Sequence, residues 1–285
     1  MNQIETEPLI LRPRGWRKVV RYVLLIFVGL LFIAPAYWML SSALKPNYEI
    51  FALPPVWWPS SPRWENFKEA LTVLPFGRFA LNTLIIAVFS IIGHLISCTL
   101  VAYAFARYDA PGKNFFFVLL LSTLMLPYPV TMVPLYIIFS RLGWVNSFLP
   151  LIVPAFFANA FYVFLLRQAF KQIPPDLEEA ARIDGANTLQ VLWYVILPIS
   201  MPALATVAIF TFQAAWNDFL GPLIFLHDQS KYTLTLGLSF FRGSYEVNWA
   251  YLMASSLVVS LPVILVFFLA QKVFIQGVGY TGTKI

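Results

Sequence analysis

The side chains best suited to acid–base, nucleophilic or metal chemistry are few, since the sequence holds two histidines, His94 and His227, and one cysteine, Cys98. A catalytic or metal site needs several His, Cys, Asp or Glu side chains close together. Neither histidine is accompanied by such a set, and His94 and Cys98 both lie inside a long apolar run. The sequence also lacks a G-x-x-x-x-G-K-[ST] phosphate loop. These observations argue against an enzyme and against ATP hydrolysis by this chain.

The polar stretch at residues 173–186, IPPDLEEAARIDGA, has the residue order of a short capped helix. Pro175 suits a first helical turn, and the acidic residues after it favour the positive end of a helix dipole. Glu178 and Arg182 have the spacing of a supportive ion pair. Gly185 can take the left-handed conformation that ends a helix. We therefore predict a helix that stops at Gly185.

One face of this helix would present small side chains to another protein. The predicted face consists of Leu177, Ala180, Ala181 and Asp184. A second apolar segment, residues 189–196, follows the turn and reaches Leu197-Pro198 just before the next long apolar run. We predict a helix-turn-helix loop over residues 172–198, tied to a membrane helix at each end, so that movement at one end must reach the other.

The composition places these elements in a membrane. Of the 285 residues, 60% are hydrophobic and 11% are charged, whereas a soluble domain carries about 25% charged residues. Apolar runs of about 20 residues can cross the hydrocarbon core as helices, and six recur here, at 19–40, 80–106, 115–139, 148–166, 199–224 and 250–270. We predict an all-α membrane protein with six transmembrane helices. The net charge of +6 is weighted toward the first 21 residues, which indicates membrane orientation and no nucleic-acid partner.

The distribution of positive charge predicts that both termini are cytoplasmic. Twelve of the 19 lysines and arginines fall on the termini and on the second and fourth loops, which the positive-inside tendency assigns to the cytoplasm. The predicted divisions are an N-terminal segment 1–18, a transmembrane domain 19–275 and a C-terminal tail 276–285. A cleaved signal peptide is the alternative for the first run, but that run is longer than a usual signal sequence and continues past Ala34-Pro35-Ala36.

Prolines mark two further features. Pro127, Pro129 and Pro134 fall within the third run, where each removes a backbone donor and bends or breaks a helix. Either a curved helix lining a path or a packing irregularity would result. The external loop 41–79 carries several Pro and Trp residues and is too short for an independent domain. Its aromatic residues suit an interfacial belt, with a partner-docking surface as the alternative.

The predicted helix-turn-helix loop at residues 172–198 also resembles a loop of a known protein family. The order Glu179-Ala180-Ala181, then Gly185 flanked by Asp184 and Ala186, then Leu197-Pro198, resembles the EAA loop through which ABC importer permeases engage their ATPases. From residue 80 onward, further segments are similar to the sugar-uptake branch, including the shorter permease of maltose importers. These segments are Tyr103-Ala104-Phe105-Ala106-Arg107, Met125-Leu126-Pro127, Phe164-Leu165-Leu166-Arg167, Trp216-Asn217-Asp218-Phe219 and Leu261-Pro262-Val263.

The resemblance implies a subunit of a larger importer. It implies a second homologous permease, two cytoplasmic ATPase subunits that bind ATP and Mg, an external sugar-binding protein, and a bacterial inner membrane around the complex. No cofactor is expected on this chain. The implied ATPase-docking residues are Leu177, Glu178, Glu179, Ala180, Ala181, Asp184, Gly185 and Ala186.

A second polar group could line the path of the sugar. Gln213, Trp216, Asn217 and Asp218 combine a stacking ring with hydrogen-bond donors and acceptors. Interhelical hydrogen bonds with an interfacial anchor are the alternative, which we favour. Translocation-path lining is therefore a safer expectation than sugar binding.

His94 is compatible with a different function, that of a proton-coupled secondary carrier. An ionisable group at membrane depth is a candidate for proton transfer, and proline-broken helices also suit a secondary carrier. We favour a neutral histidine with an internal hydrogen bond, because its own run contains no acidic partner. A carrier would leave the 172–198 loop without a role, and a structural scaffold protein would show no transport and no ATPase stimulation.

Overall fold

The structure, a computed structural model described here for residues 15–242 and 247–279, is built from helices. The predicted segment 1–18 therefore lies mostly outside the described residues, as do the last six residues of the predicted tail. Within the described ranges, one isolated bridge joins Arg242 to Val247. The α-helices are α1 (Gly15–Ala43), α2 (Asn47–Ile50), α3 (Glu65–Val73), α4 (Phe76–Arg107), α5 (Lys113–Ser122), α6 (Tyr128–Arg141), α7 (Leu149–Ile152), α8 (Ala160–Lys171), α9 (Pro175–Ile183), α10 (Thr188–Val191), α11 (Leu197–Ile199), α12 (Met201–Asn217), α13 (Leu220–Phe225), α14 (Leu234–Ser239) and α15 (Trp249–Gly279).

Six stretches correspond to the predicted spans. Four helical segments are long and apolar enough to cross a membrane: Lys18–Ala43, Phe76–Arg107, Leu149–Lys171 and Trp249–Gln271. The other two stretches are bent pairs, which bring the number to six if each pair forms one span. The prediction of an all-α membrane protein is confirmed.

The third span is broken where its prolines predict a break. Helical structure from Lys113–Met125 ends before Leu126, and α6 leaves at an angle of 99°. Pro127 has extended backbone geometry, with φ of −65° and ψ of 138°. Pro134 lies inside α6 without ending it. Proline has no backbone N–H to continue a helix, so the change of direction falls at Pro127.

The predicted fifth span, about residues 199–224, begins close to the start of the observed helix but extends past its end. Helix α12 begins at Met201, after a bend of 80° from the preceding helical segment, and ends at Asn217. Asp218 leaves the helical conformation, and its carboxylate accepts the backbone N–H of Gly221 at 3.0 Å. This local hydrogen bond competes with helix continuation, so the chain turns into the separate short helix α13.

Helix α4 is the centre of the packing, with α8 and α12 against it, while α1 and α12 both pack on α15. One apolar cluster surrounds Cys98 and Phe170, and a second surrounds Phe79 and Trp216. At Gly93 the 3₁₀ segment Val153–Phe157 approaches so closely that an added Cβ would lie 2.8 Å from the Phe156 ring. Glycine therefore permits this contact.

The loop 41–79 is folded against the bundle, with α2 and α3 inside it. The fully buried Lys45 donates to the backbone carbonyl of Val56, and its ammonium lies 4.4 Å from the ring centre of Trp38. The buried Asn66 amide donates to the carbonyls of Ala43 and Lys45 at 2.9 and 3.1 Å. These bonds satisfy carbonyls at the end of α1 and fix the loop's position.

Candidate functional site

The predicted helix-turn-helix over residues 172–198 is present. Helix α9 ends before Gly185, whose φ of +88° is the left-handed conformation expected there. Asn187 then begins α10 with a reciprocal capping box. Its side chain accepts the N–H of Gln190 at 3.0 Å, and the Gln190 side chain accepts the N–H of Asn187 at 2.8 Å. The loop is thus closed by local hydrogen bonds at its turn.

The return segment of the loop has a feature that the sequence does not predict. Residues Leu192–Ile196 form a π-helical turn, followed by α11 and the bend at Ser200. Val191 and Ile196 of this segment are buried in the apolar cluster around Cys98. Trp193 and Tyr194, between them, are 66% and 73% exposed. The return segment is therefore anchored on one side and open on the other.

Helix α9 leaves part of its predicted face open. Leu177, Ala180 and Asp184 are exposed, and so is Glu179. Ala181 is half-buried and packs against the Cys98 cluster, as Ala186 does. The open face is completed by Ile183, which is 86% exposed. Ala181 thus lies on the border between the bundle and the open face.

Glu178 is the side chain that attaches α9 to the bundle. It is ion-paired with Arg107 at the end of α4, and the two side chains are only 7% and 13% exposed. The Tyr103 hydroxyl donates to the other carboxylate oxygen of Glu178 at 3.2 Å, and Arg107 also donates to the carbonyl of Ile173 at 2.7 Å. The predicted pairing of Glu178 with Arg182 is thus replaced by a pairing with Arg107, because Glu178 faces inward.

Sequence reasoning missed Arg107 and Tyr103 as partners of the loop. They are four residues apart, which places both on one face of a helix. They also belong to one of the segments in which the family resemblance was found, and that was the only available signal. Their distance in sequence from Glu178, more than 70 residues, is why no local pattern pairs them.

A second arginine fixes the same end of α4. Arg167 of α8 donates to the carbonyl of Phe105 at 3.2 Å, and its guanidinium lies 4.1 Å from the ring centre of Phe117. The rings of Phe105 and Phe117 are 5.3 Å apart. Through these contacts, helices α4, α5 and α8 meet beside the 172–198 loop. Arg167 takes part through Phe105 and Phe117, and the meeting of the helices does not depend on Glu178.

The four candidate path residues do not converge. Trp216 is 6% exposed, donates its indole N–H to the carbonyl of Val259 at 3.0 Å and stacks on Phe212. Gln213 and Asn217 are exposed, and the Asn217 amide donates to the carbonyl of Gln213 at 2.9 Å. Trp216 therefore has the interhelical role that we favoured, while Gln213 and Asn217 share an open face.

Asp218 and His94 line one cavity with Tyr128, where the third span is broken. Asp218 is half-buried, and His94 accepts or donates a hydrogen bond at 3.2 Å to the Thr211 hydroxyl. The His94 ring also meets the Tyr162 ring edge-on at 4.9 Å. The predicted internal hydrogen bond of His94 is confirmed.

Cys98 is fully buried within the first of the two apolar clusters. Across residues 15–242 and 247–279, no three His, Cys, Asp or Glu side chains are grouped as a metal site requires.

Comparison with known proteins defines the family. Residues 99–280, more than half of the chain, match the family described as binding-protein-dependent transport system inner membrane components. The chain belongs to this family. The permease is 36% identical to a probable ABC transporter permease of Pyrococcus horikoshii. The 264 aligned residues cover 90% of this chain and 95% of that protein.

A second relative and a solved structure agree. The diacetylchitobiose uptake system permease of Streptomyces coelicolor is 34% identical over 260 residues, which cover 89% of this permease and 84% of that protein. A chain from the crystal structure of a bacterial ABC transporter involved in alginate import superposes with a TM-score of 0.81 at 26% identity, covering 93% of this permease and 99% of that chain. The protein is thus similar to permeases of sugar-type ABC transporters, which are transport components and not enzymes.

Proposed function

We propose that this permease imports a sugar or oligosaccharide into the cytoplasm across a bacterial inner membrane, driven by ATPase subunits that dock on residues 172–198. The observation that carries the proposal is the construction of α9. Its inner side is fixed to the bundle through Glu178, while Leu177, Ala180 and Ile183 leave an open, largely apolar face. An exposed apolar face with low side chains is suited to a protein partner.

The proposed orientation places the 172–198 loop and both termini in the cytoplasm. It rests on the excess of lysine and arginine on that side of the sequence. ATP and Mg would be bound by two copies of the ATPase, and a second, homologous permease would complete the membrane pore. The opposite end of the bundle, including the folded loop 41–79, would face an external sugar-binding protein.

Coupling follows from the two ends of the loop. Residue 172 follows α8, and the loop returns through the π-helical turn to α12. When the ATPase pair closes on ATP, the α9 face that it holds would move with it, and the attached helices would shift between inward-facing and outward-facing arrangements. Such a mechanism requires two states of the bundle and a stiff connection between them.

The sugar path would lie along the face of α12 that carries Gln213 and Asn217. Exposed amides at membrane depth are costly against lipid and face water or protein instead. Gln213 shares a shallow groove with Asn159 and Tyr162 of the fourth span. Amide and phenol groups can exchange hydrogen bonds with sugar hydroxyls, so this groove suits a neutral, hydroxyl-rich solute.

The experiment is ATP hydrolysis by the assembled complex in lipid discs, with a panel of sugar-loaded binding proteins. We expect one loaded binding protein to stimulate hydrolysis and thereby identify the sugar. Ala180→Trp, on the open face of α9, should abolish association with the ATPase. Ala110→Trp, at an exposed position beyond α4, is the matched control and should leave association intact. A complex that assembles and responds equally with Ala180→Trp would overturn the docking assignment.

A further inference from the structure

Arg107 connects the 172–198 loop to a helix that is not its neighbour in sequence. It belongs to α4, whereas the chain joins the loop to α8 and α12. We propose that Arg107 is a positioning residue that transmits movement of α9 directly to α4, and through α4 to the opposite end of the bundle. This inference rests on the proposed function, because it assumes that an ATPase moves α9.

The contacts at Arg107 make the connection stiff. Its guanidinium is ion-paired with Glu178 in the first turns of α9, and it also donates to the carbonyl of Ile173 before that helix. Tyr103, one turn earlier in α4, donates to the second carboxylate oxygen of Glu178. Three contacts at two points of the loop restrain both its position and its rotation relative to α4.

Burial makes these contacts costly to separate. With side chains 7% and 13% exposed, Glu178 and Arg107 are poorly screened by water, so their attraction is stronger than that of a surface pair. Moving one away from the other would leave a buried charge without a partner. The end of α4 is therefore expected to follow α9 when α9 moves. The return connection is less direct, because it passes through the π-helical turn and the 80° bend at Ser200.

Helix α4 can carry the movement across the membrane. It is an uninterrupted helix of 32 residues, and at 1.5 Å per residue Asn82 and Arg107 are about 37 Å apart along it. At the far end, the Asn82 amide donates to the carbonyls of Ser230 and Tyr232 at 3.0 and 2.9 Å. The next residue, Thr83, accepts the backbone N–H of Leu234 at 2.9 Å.

These bonds attach α4 to the segment that connects α13 with α14. The same segment is held to the turn after α6, since Lys231 donates to the carbonyl of Asn146 at 2.6 Å. A displacement of α4 would thus be received by residues 230–234 at the end of the bundle opposite the 172–198 loop. Helix α4 thus contacts the 172–198 loop through Arg107 at one end and residues 230–234 through Asn82 at the other.

The test compares ATP hydrolysis with and without loaded binding protein for complexes in lipid discs. Arg107→Met should reduce the stimulation at least tenfold. The double variant Arg107→Met with Glu178→Met leaves no unpaired buried charge, so it should assemble normally and still lack stimulation. Arg167→Met is the matched control, since Arg167 contacts the same end of α4 through Phe105 without binding α9; its stimulation should stay within twofold of wild type.

A structural role alone would lower assembly and basal hydrolysis together, whereas the inference predicts a loss of stimulation at normal basal hydrolysis. The charge-exchanged pair Arg107→Glu with Glu178→Arg should recover part of the stimulation that Arg107→Glu loses. Wild-type stimulation in the assembled double Met variant would overturn the inference, and so would failure of that variant to assemble. If the wild-type chain bound no ATPase at all, the proposed function itself would fail instead.

Discussion

The indole N–H of Trp216 is bonded to the backbone carbonyl of Val259 at 3.0 Å, which ties α12 to α15. Val259 lies three residues before Pro262, the proline inside α15. The next residue along α12, Asn217, faces away from this contact and is exposed. Adjacent polar side chains at the end of one helix therefore have separate roles, one in holding the bundle together and one on its open face.

Replacing Trp216 should lower stability, whereas replacing Asn217 should lower transport. Trp216→Phe keeps most of the buried ring and loses the bond to Val259, and we expect a cost of about 1 kcal/mol, as for other hydrogen bonds between membrane helices. Asn217→Ala should leave stability unchanged and reduce uptake. Unfolding can be followed with a thiol-reactive dye, because the only cysteine, Cys98, is fully buried until the bundle opens. Equal stability losses in both variants would contradict this division.

Gly93→Ala should destabilise the contact between α4 and the fourth span. The new methyl group would lie 2.8 Å from the Phe156 ring and 3.1 Å from the main chain of Ala155, so we expect a loss of about 1–3 kcal/mol from overpacking. Gly77→Ala is the control in the same helix, because nothing lies within 4 Å of its added Cβ. Thermal unfolding in detergent measures both variants, and an unchanged midpoint for Gly93→Ala would show that this approach is not tight.

Gly185→Ala should impair ATPase coupling through backbone strain. At φ of +88° an alanine costs about 1–2 kcal/mol, and the strain falls on the turn between α9 and α10. Gly143→Ala imposes the same kind of strain at φ of +69°, in the turn after α6, and neither added methyl group meets an atom within 4 Å. Both variants should lose similar stability, but only Gly185→Ala should lose stimulated ATP hydrolysis. Equal hydrolysis in the two would mean that the turn geometry does not matter for coupling.

Asn66→Asp should unfold the loop 41–79. The change removes both donors to the carbonyls of Ala43 and Lys45 and places a carboxylate in their buried site, so we expect a loss of at least about 2 kcal/mol. Asn114→Asp, at an exposed position in the first turn of α5, should be neutral. Limited proteolysis of the loop distinguishes them, and cleavage of Asn66→Asp at the wild-type rate would count against the proposed support.

Local chemistry made part of this structure predictable. Pro127 breaks the third span because proline cannot continue a helix, and Gly185 ends α9 because glycine tolerates positive φ. Apolar run lengths located α4 and α15, because each helix must be long enough to cross the membrane. These features are set by the properties of residues close together in sequence.

The features that escaped prediction depend on contacts between distant residues. Glu178 was paired with Arg182 by spacing, but its partner is Arg107, brought close only by folding. The sequence alone allowed Trp216 to line the sugar path. Only the structure shows that Trp216 bonds instead to Val259 in the next span. The π-helical turn at Leu192–Ile196 has no residue signature that separates it from a regular helix, whereas the bend at Ser200 lies between Pro198 and Pro202, a signal that sequence reasoning did not use.

Import driven by ATP can be measured as sugar uptake into liposomes that contain the complete complex. ATP is enclosed inside, with the ATPase subunits, and labelled sugar with its binding protein is supplied outside. We expect label to accumulate inside only when ATP is enclosed, and Ala180→Trp to abolish the accumulation. Uptake by this chain without an ATPase, driven by an ion gradient, would show instead that the protein is a secondary carrier.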